Sequence, residues 1–147
     1  MTAQLEKGLI LTKTPPSCIH AIFTTVEQGA FTDAEDERGR AFLFERFQSP
    51  ATFIEVIHTN KLKVRGNHVH QNCDETLYVL SGEIEIYLRC NAHKKHVYKR
   101  NMKRGEAVFT PKGIAHALYT LTETEFVVFF DKDPRNDRDR VPILRFP

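Results

Sequence analysis

The sequence predicts an all-β fold, a small barrel or two-layer sandwich, on three observations. Short runs rich in Val, Ile, Phe, Tyr and Thr recur at fairly even spacing. Each is bounded by Gly, Pro, Asn or charged residues, and no helical period competes with them in the central part of the chain. Several runs alternate apolar and polar side chains, as a strand with one buried face does. Many short strands so spaced favour a sandwich or small barrel.

Taken in order, residues 1–35 form a partly irregular arm. Pro15-Pro16 breaks any helix there, and AFTDAEDERG reads as a polar loop. The barrel is expected over about 40–130. Its strands are AFLFERF (41–47), TFIEVIHT (52–59), ETLYVLSG (75–82), EIEIYLRC (83–90), EAVFTP (106–111), HALYTL (116–121) and EFVVFF (125–130), with one more carrying His68 and His70. Ser81-Gly82 predicts a turn that joins 75–90 as a hairpin. Residues 89–104, RCNAHKKHVYKRNMKR, hold seven Lys/Arg with His93 and His96. A solvated hairpin is the expectation there, and a phosphate-binding patch the alternative. The tail DKDPRNDRDR (131–140) sets four Asp against four Lys/Arg and reads as a surface turn with weak local ion pairs.

At 147 residues the chain reads as one domain, 1–147, able to bury its own core. Its 41% hydrophobic and 27% charged content is globular, and a net charge of +2 is too small to argue for nucleic acid. No run approaches the ~18 apolar residues of a membrane span. No signal peptide is visible in MTAQLEKGLILTKTPPS, so a cytoplasmic protein is expected. Cys18, Cys73 and Cys90 are an odd number at irregular spacing. They predict no disulfide framework and a reducing compartment. Cys73 lies between His70 and Glu75; a bystander in the turn is the simpler reading, and a soft ligand or oxidisable thiol the alternative.

The chemistry concentrates in two blocks. Residues 65–82 read RGNHVHQNCDETLYVLSG, and 105–116 read GEAVFTPKGIAH. His68 and His70 alternate, so both rings take one face of a strand. Alternation carries Leu62 and Val64 to that same face. It also sets Glu75 with Leu77 and Val79, and His116 with Leu118 and Thr120, on inward faces. Ile84, Ile86 and Leu88 complete an apolar interior. Three imidazoles and a carboxylate so placed suit one divalent transition metal, with Zn, Fe, Mn and Ni all compatible. In a metal-free alternative, His68 or His70 serves as acid or base. Arg65 points outward on strict alternation, but inward, toward an anionic group, if Gly66 bulges the strand.

These blocks resemble the two motifs of the cupin superfamily. His68-x-His70, four residues, Glu75, six residues and Gly82 match the first. Gly105, Pro111, Gly113 and His116 match the second. The chain departs from the pattern twice: Leu62 stands where a glycine is expected, and Thr120 where an asparagine is. The resemblance implies a small β-barrel of two facing sheets (double-stranded β-helix, jelly-roll-like), a metal on His68, His70, Glu75 and His116, and a homodimer. Asp36-Glu37-Arg38-Gly39 and the later RGNHVH also resemble cupins acting on nucleotide-linked keto sugars.

Three functions follow as expectations. The first is a metal-dependent isomerase or epimerase acting on a small carbonyl substrate, such as a nucleotide keto sugar. His58, Arg65 and Tyr78 are its candidate catalytic residues, although alternation turns His58 and Tyr78 outward. The 89–104 segment, Arg46 or Arg65 would hold a diphosphate. The second is an iron dioxygenase with a dry pocket supplied by Phe42, Phe44, Phe109 and Phe130. The third is a non-catalytic metal- or ligand-binding cupin. No nucleic-acid or membrane partner is expected.

Overall fold

In the computed structural model the described residues are 3–19, 21–25, 33–37, 39–42 and 51–145. Among them the chain forms strands and no helix. The strands are β1 (Gln4–Leu5), β2 (Ile10–Thr12), β3 (Ile22–Thr25), β4 (Asp33–Asp36), β5 (Gly39–Phe42), β6 (Phe53–Thr59), β7 (Val64–Val69) and β8 (Glu75–Ser81). They continue with β9 (Glu83–Arg89), β10 (His96–Lys103), β11 (Glu106–Thr110), β12 (Ala115–Thr120), β13 (Thr124–Phe130), β14 (Asp139–Arg140) and β15 (Leu144–Arg145). Accordingly, no described helix is long and apolar enough to cross a membrane.

Two sheets face each other across one core. One runs β14-β7-β12-β9-β10-β2 and the other β3-β11-β8-β13-β6. The core lies between them and takes Leu77 and Val79 from β8, Ile84, Ile86 and Leu88 from β9, Leu118 from β12 and Phe126, Val128 and Phe130 from β13. The alternation expected on β8, β9 and β12 therefore holds, because a strand's period of two sends every other side chain into the same interior. A second cluster, with Val69, Tyr87, Ala117, Tyr119, Ile143 and Leu144, packs on the back of the six-stranded sheet.

Several expectations are corrected. Residues 75–90 are not a hairpin. β8 pairs with β11 and β13, whereas β9 pairs with β10 and β12. Gly82, at φ +83°, instead carries the chain from one sheet to the other. A Cβ there would lie 2.2 Å from the Glu123 carbonyl, so the turn signal was sound and its partner wrong. The basic segment does form a hairpin, β9–β10, but β10 is a working strand: Tyr98 and Met102 face the core and Val97 the back cluster. Lys99 pairs with Glu85 at 2.7 Å, and Arg100 lies 4.2 Å from the Phe23 ring centroid.

The arm is also more ordered than expected. β2 pairs parallel with β10 and β3 antiparallel with β11, so residues 10–25 edge both sheets in turn. Where the arm crosses between them, Cys18 is bonded to Cys90, which corrects the expectation of unpaired cysteines. Only the sheets bring together residues 72 apart in sequence. Of the strand expected at 41–47, β5 covers 41 and 42; Phe44 and Arg46 lie outside the described residues.

Candidate functional site

The site begins with a bulge. Gly66 (φ +77°) and Asn67 (φ +58°) are both left-handed within β7. His68 faces His116 and Gly66 faces Ala117, so Asn67 is an extra residue in the ladder. A Cβ on Gly66 would lie 2.8 Å from the His116 carbonyl, which explains the glycine. Asn67 tolerates the left-handed region and ties down the C-terminal segment. Its Oδ1 accepts from the Ile143 and Leu144 N–H groups, and its Nδ2 donates to the Leu144 carbonyl.

The extra residue flips the parity upstream of it. Val64 joins the back cluster rather than sharing a face with His68, as strict alternation predicts. Arg65 swings to the inner side, opposite Leu118, and lines the cavity. Its Nε donates to Thr59 Oγ1 and its Nη2 to the His58 carbonyl.

His68, His70, Glu75 and His116 converge, with their donor atoms all within 4.8 Å of one another. His68 and His70 come from β7 and the residue after it, Glu75 opens β8, and His116 lies on β12. His70 and His116 are oriented from behind. His70 Nδ1–H donates to the Asp137 carbonyl at 2.6 Å, and His116 Nδ1–H to the Ile114 carbonyl at 3.3 Å. Their Nε2 atoms then point at one carboxylate oxygen, Glu75 Oε2, from 3.2 and 3.3 Å. Lone pairs so aimed at an anion require a positive charge among them, either a proton or a cation.

The electrostatics agree with that demand. Burial pushes the Glu75 carboxyl up, but the His116 and His70 rings outweigh it and hold it well below its usual range. Burial likewise pushes His116 down, and Glu75 reverses it upward. His68 is lowered to about 3 by burial and by the two neighbouring rings, so its imidazole is neutral as a ligand must be. Ligands about 2.1 Å from one ion lie about 3 to 4 Å apart, and donor atoms already within 4.8 Å of one another could close on a single divalent ion.

Asp137 builds the turn beneath. Its carboxylate accepts N–H groups from Gln71, Asn72 and Cys73. These bonds depress its own carboxyl to about 2 despite the opposing cost of burial. The 131–140 tail is thus not merely a surface turn. Cys73 is buried beside Asp137, and burial, then a hydrogen bond from the thiol to the Asp137 carboxylate, pushes the thiol up to about 12.

A cavity of about 100 Å³ opens above the four residues. Ile57, Leu77, Leu118, Phe126, Val128 and Phe130 form its apolar wall, and Glu55, Arg65 and Arg138 stand at its mouth. Glu55 and Arg138 are ion-paired at 2.5 Å. Sequence reasoning missed both: Arg138 sits in a charge-balanced tail, and Glu55 in a strand read for its apolar residues and His58. The inward parity of Glu55 between Phe53 and Ile57 was the available signal. His58 lies on the outer face of β6, 3.7 Å from Glu125, and lines a separate recess. Tyr78 also faces away from the cavity, between Leu77 and Val79 on β8. No residue of 89–104 lines the cavity.

Residues 50–141 match the cupin family. This chain is a cupin. No curated protein sequence matches it. Among solved structures, this cupin is similar to a 3,4-ketoisomerase from Helicobacter canadensis, with a TM-score of 0.70 and 18% identity over 83% of this chain and 91% of that one. A mutant of the 3,4-ketoisomerase QdtA from Thermoanaerobacterium thermosaccharolyticum, in complex with TDP-4-keto-6-deoxyglucose, gives a TM-score of 0.62 and 14% identity, covering 82% and 86%. The capsular polysaccharide assembling protein CapF from Staphylococcus aureus gives 0.58 and 21%, over 76% of the cupin but only 34% of its own chain.

The cupin's two departures from the family pattern meet at one turn. Leu62 occupies the expected glycine position in the left-handed conformation that glycine favours, at φ +59°. The Thr120 hydroxyl donates to the Asn60 carbonyl at 2.7 Å and accepts the Lys63 N–H at 2.9 Å. The Leu62 N–H donates to the Thr120 carbonyl. Thr120 thus clamps the β6–β7 turn in place of the expected asparagine.

Proposed function

We propose that this cupin is a metal-dependent isomerase or epimerase acting on the carbonyl of a nucleotide keto sugar, with His68, His70, Glu75 and His116 as ligands of one divalent ion. The observation that carries the reading is the paired aim of His70 and His116 Nε2 at Glu75, each ring locked from behind by a backbone carbonyl. Such locking fixes the tautomer a ligand needs. A bound ion would supply Lewis acidity to a substrate carbonyl.

The protein's own residues do the rest. The apolar wall excludes water from the reacting end. Arg65 supplies a donor for an anionic or oxygen-rich group at the mouth, and most of a nucleotide sugar stays outside a cavity of about 100 Å³. Likeness to 3,4-ketoisomerases, one of them in complex with a TDP-keto sugar, supports this substrate class. Three charged residues at the mouth favour a polar substrate over the dry pocket of a dioxygenase; Phe130 lines the cavity, while Phe109 lies on a strand position facing away from it.

Elemental analysis of protein purified without chelator tests the first half. About one equivalent of metal per chain is expected, lost in His70→Ala. Solvent deuterium incorporation into TDP-4-keto-6-deoxyglucose, with no oxygen consumed, tests the second. Oxygen uptake, or neither exchange nor turnover, would sink the isomerase reading.

A further inference from the structure

Glu55 breaks the pattern of its own strand. β6 sets Phe53, Glu55, Ile57 and Thr59 on the inward side. Its outward neighbours Ile54 and Val56 are 60% and 75% exposed. A charge among inward apolar residues costs desolvation unless something compensates, and such local violations gather at functional sites. Here Arg138 Nη2 donates to Glu55 Oε1, from the segment before β14 in the opposite sheet. Oε2 accepts no hydrogen bond from the described residues. The described lining of the cavity holds two carboxylates, Glu55 and Glu75, and Glu75 is engaged by His70 and His116. His58 and Tyr78 face elsewhere.

We propose that Glu55 is the catalytic base that carries the proton between neighbouring substrate carbons. This rests on the isomerase reading above. In the first half, a Glu55 oxygen takes the proton from the hydroxyl-bearing carbon beside the carbonyl. The C–H electron pair becomes the C=C bond of an enediolate, and the carbonyl π pair moves onto its oxygen. In the second half, the neighbouring hydroxyl proton passes to that oxygen and its electrons form the new carbonyl. The C=C pair then takes the proton back from Glu55 at the former carbonyl carbon. Glu55 ends as a carboxylate, and no oxidant or reductant is consumed. A single carboxylate can serve both carbons when both lie on its side of the sugar ring.

The test uses the full chain and TDP-4-keto-6-deoxyglucose in D2O, with deuterium beside the carbonyl read by NMR. Metal per chain and TDP affinity by calorimetry are measured in parallel. Wild type is expected to incorporate deuterium. Glu55→Gln should slow this at least about a hundredfold, with metal content and TDP affinity unchanged, and Glu55→Asp should fall between. An active wild type with an equally active Glu55→Gln variant overturns the assignment of the base and leaves the isomerase reading standing. A Glu55→Gln variant that loses metal or TDP binding also overturns it, because the residue then builds the site. A wild type that neither exchanges deuterium nor forms the isomeric keto sugar by the same NMR measurement overturns the isomerase reading and this inference with it.

Discussion

Leu62 holds a backbone conformation that costs an L-residue about 1–2 kcal/mol. Its side chain is 43% exposed, so little packing is lost on truncation. Leu62→Gly is therefore expected to stabilise the protein by about 0.5–1 kcal/mol after the greater unfolded-state freedom of glycine is counted. A higher urea midpoint with unchanged slope would show it, and a lower midpoint would refute the strain argument. Asp137 gives the opposite case. Asp137→Ala leaves the Gln71, Asn72 and Cys73 N–H groups without their acceptor, for a loss of about 2–4 kcal/mol by the same measurement. Cys73→Ser should leave metal content unchanged, since a thiol held near 12 is no thiolate at neutral pH. At this scale the four donor residues were legible, because motif spacing and strand parity both mark them. Asp137 and Arg138 were not, since their partners lie more than sixty residues away and nothing local distinguishes them from neighbouring charges.

Apart from β10, read only as part of a solvated hairpin, the strands of the central chain were legible as elements, because burial on one side imposes a period of two on each run. Their partners were not. A tight turn at Gly82 looks the same in sequence whether it closes a hairpin or passes between sheets. Its cost separates the two. Gly82→Ala meets the Glu123 carbonyl and strains φ, so a loss on the order of 3 kcal/mol is expected, measurable as a fall in melting temperature. The β7 bulge was foreseen only as a condition on Arg65, and it settles which of Val64 and Arg65 faces the cavity. The arm is held by β2, β3 and the Cys18–Cys90 bond. A bond closing 72 residues restricts the unfolded chain, so Cys18→Ser should destabilise by about 2–4 kcal/mol. Reductant should lower wild type to the same midpoint and leave the variant unmoved; a variant as stable as oxidised wild type would refute the tether.

Across the whole molecule, the site joins the two sheets at one end of the core. Glu75 and Glu55 come from the five-stranded sheet, and His68 and His116 from the six-stranded one. An ion held by all four ligands would bind only when the sheets are assembled, so metal affinity becomes folding stability. Chelation is expected to lower the melting temperature of wild type by an amount corresponding to about 4 kcal/mol when free metal stands a thousandfold above Kd. His70→Ala should melt alike with and without chelator, and an equal response in both would argue against these ligands. The all-β class, the faces of β8, β9 and β12 and the convergence of His68, His70, Glu75 and His116 were determined by the sequence alone, because each rests on local spacing and a two-residue period. Sheet assignment, the Cys18–Cys90 pair, the turn of Arg65 inward and the Glu55–Arg138 pair were decided only by the tertiary structure. They depend on which distant strands share a ladder, and no local pattern carries that register.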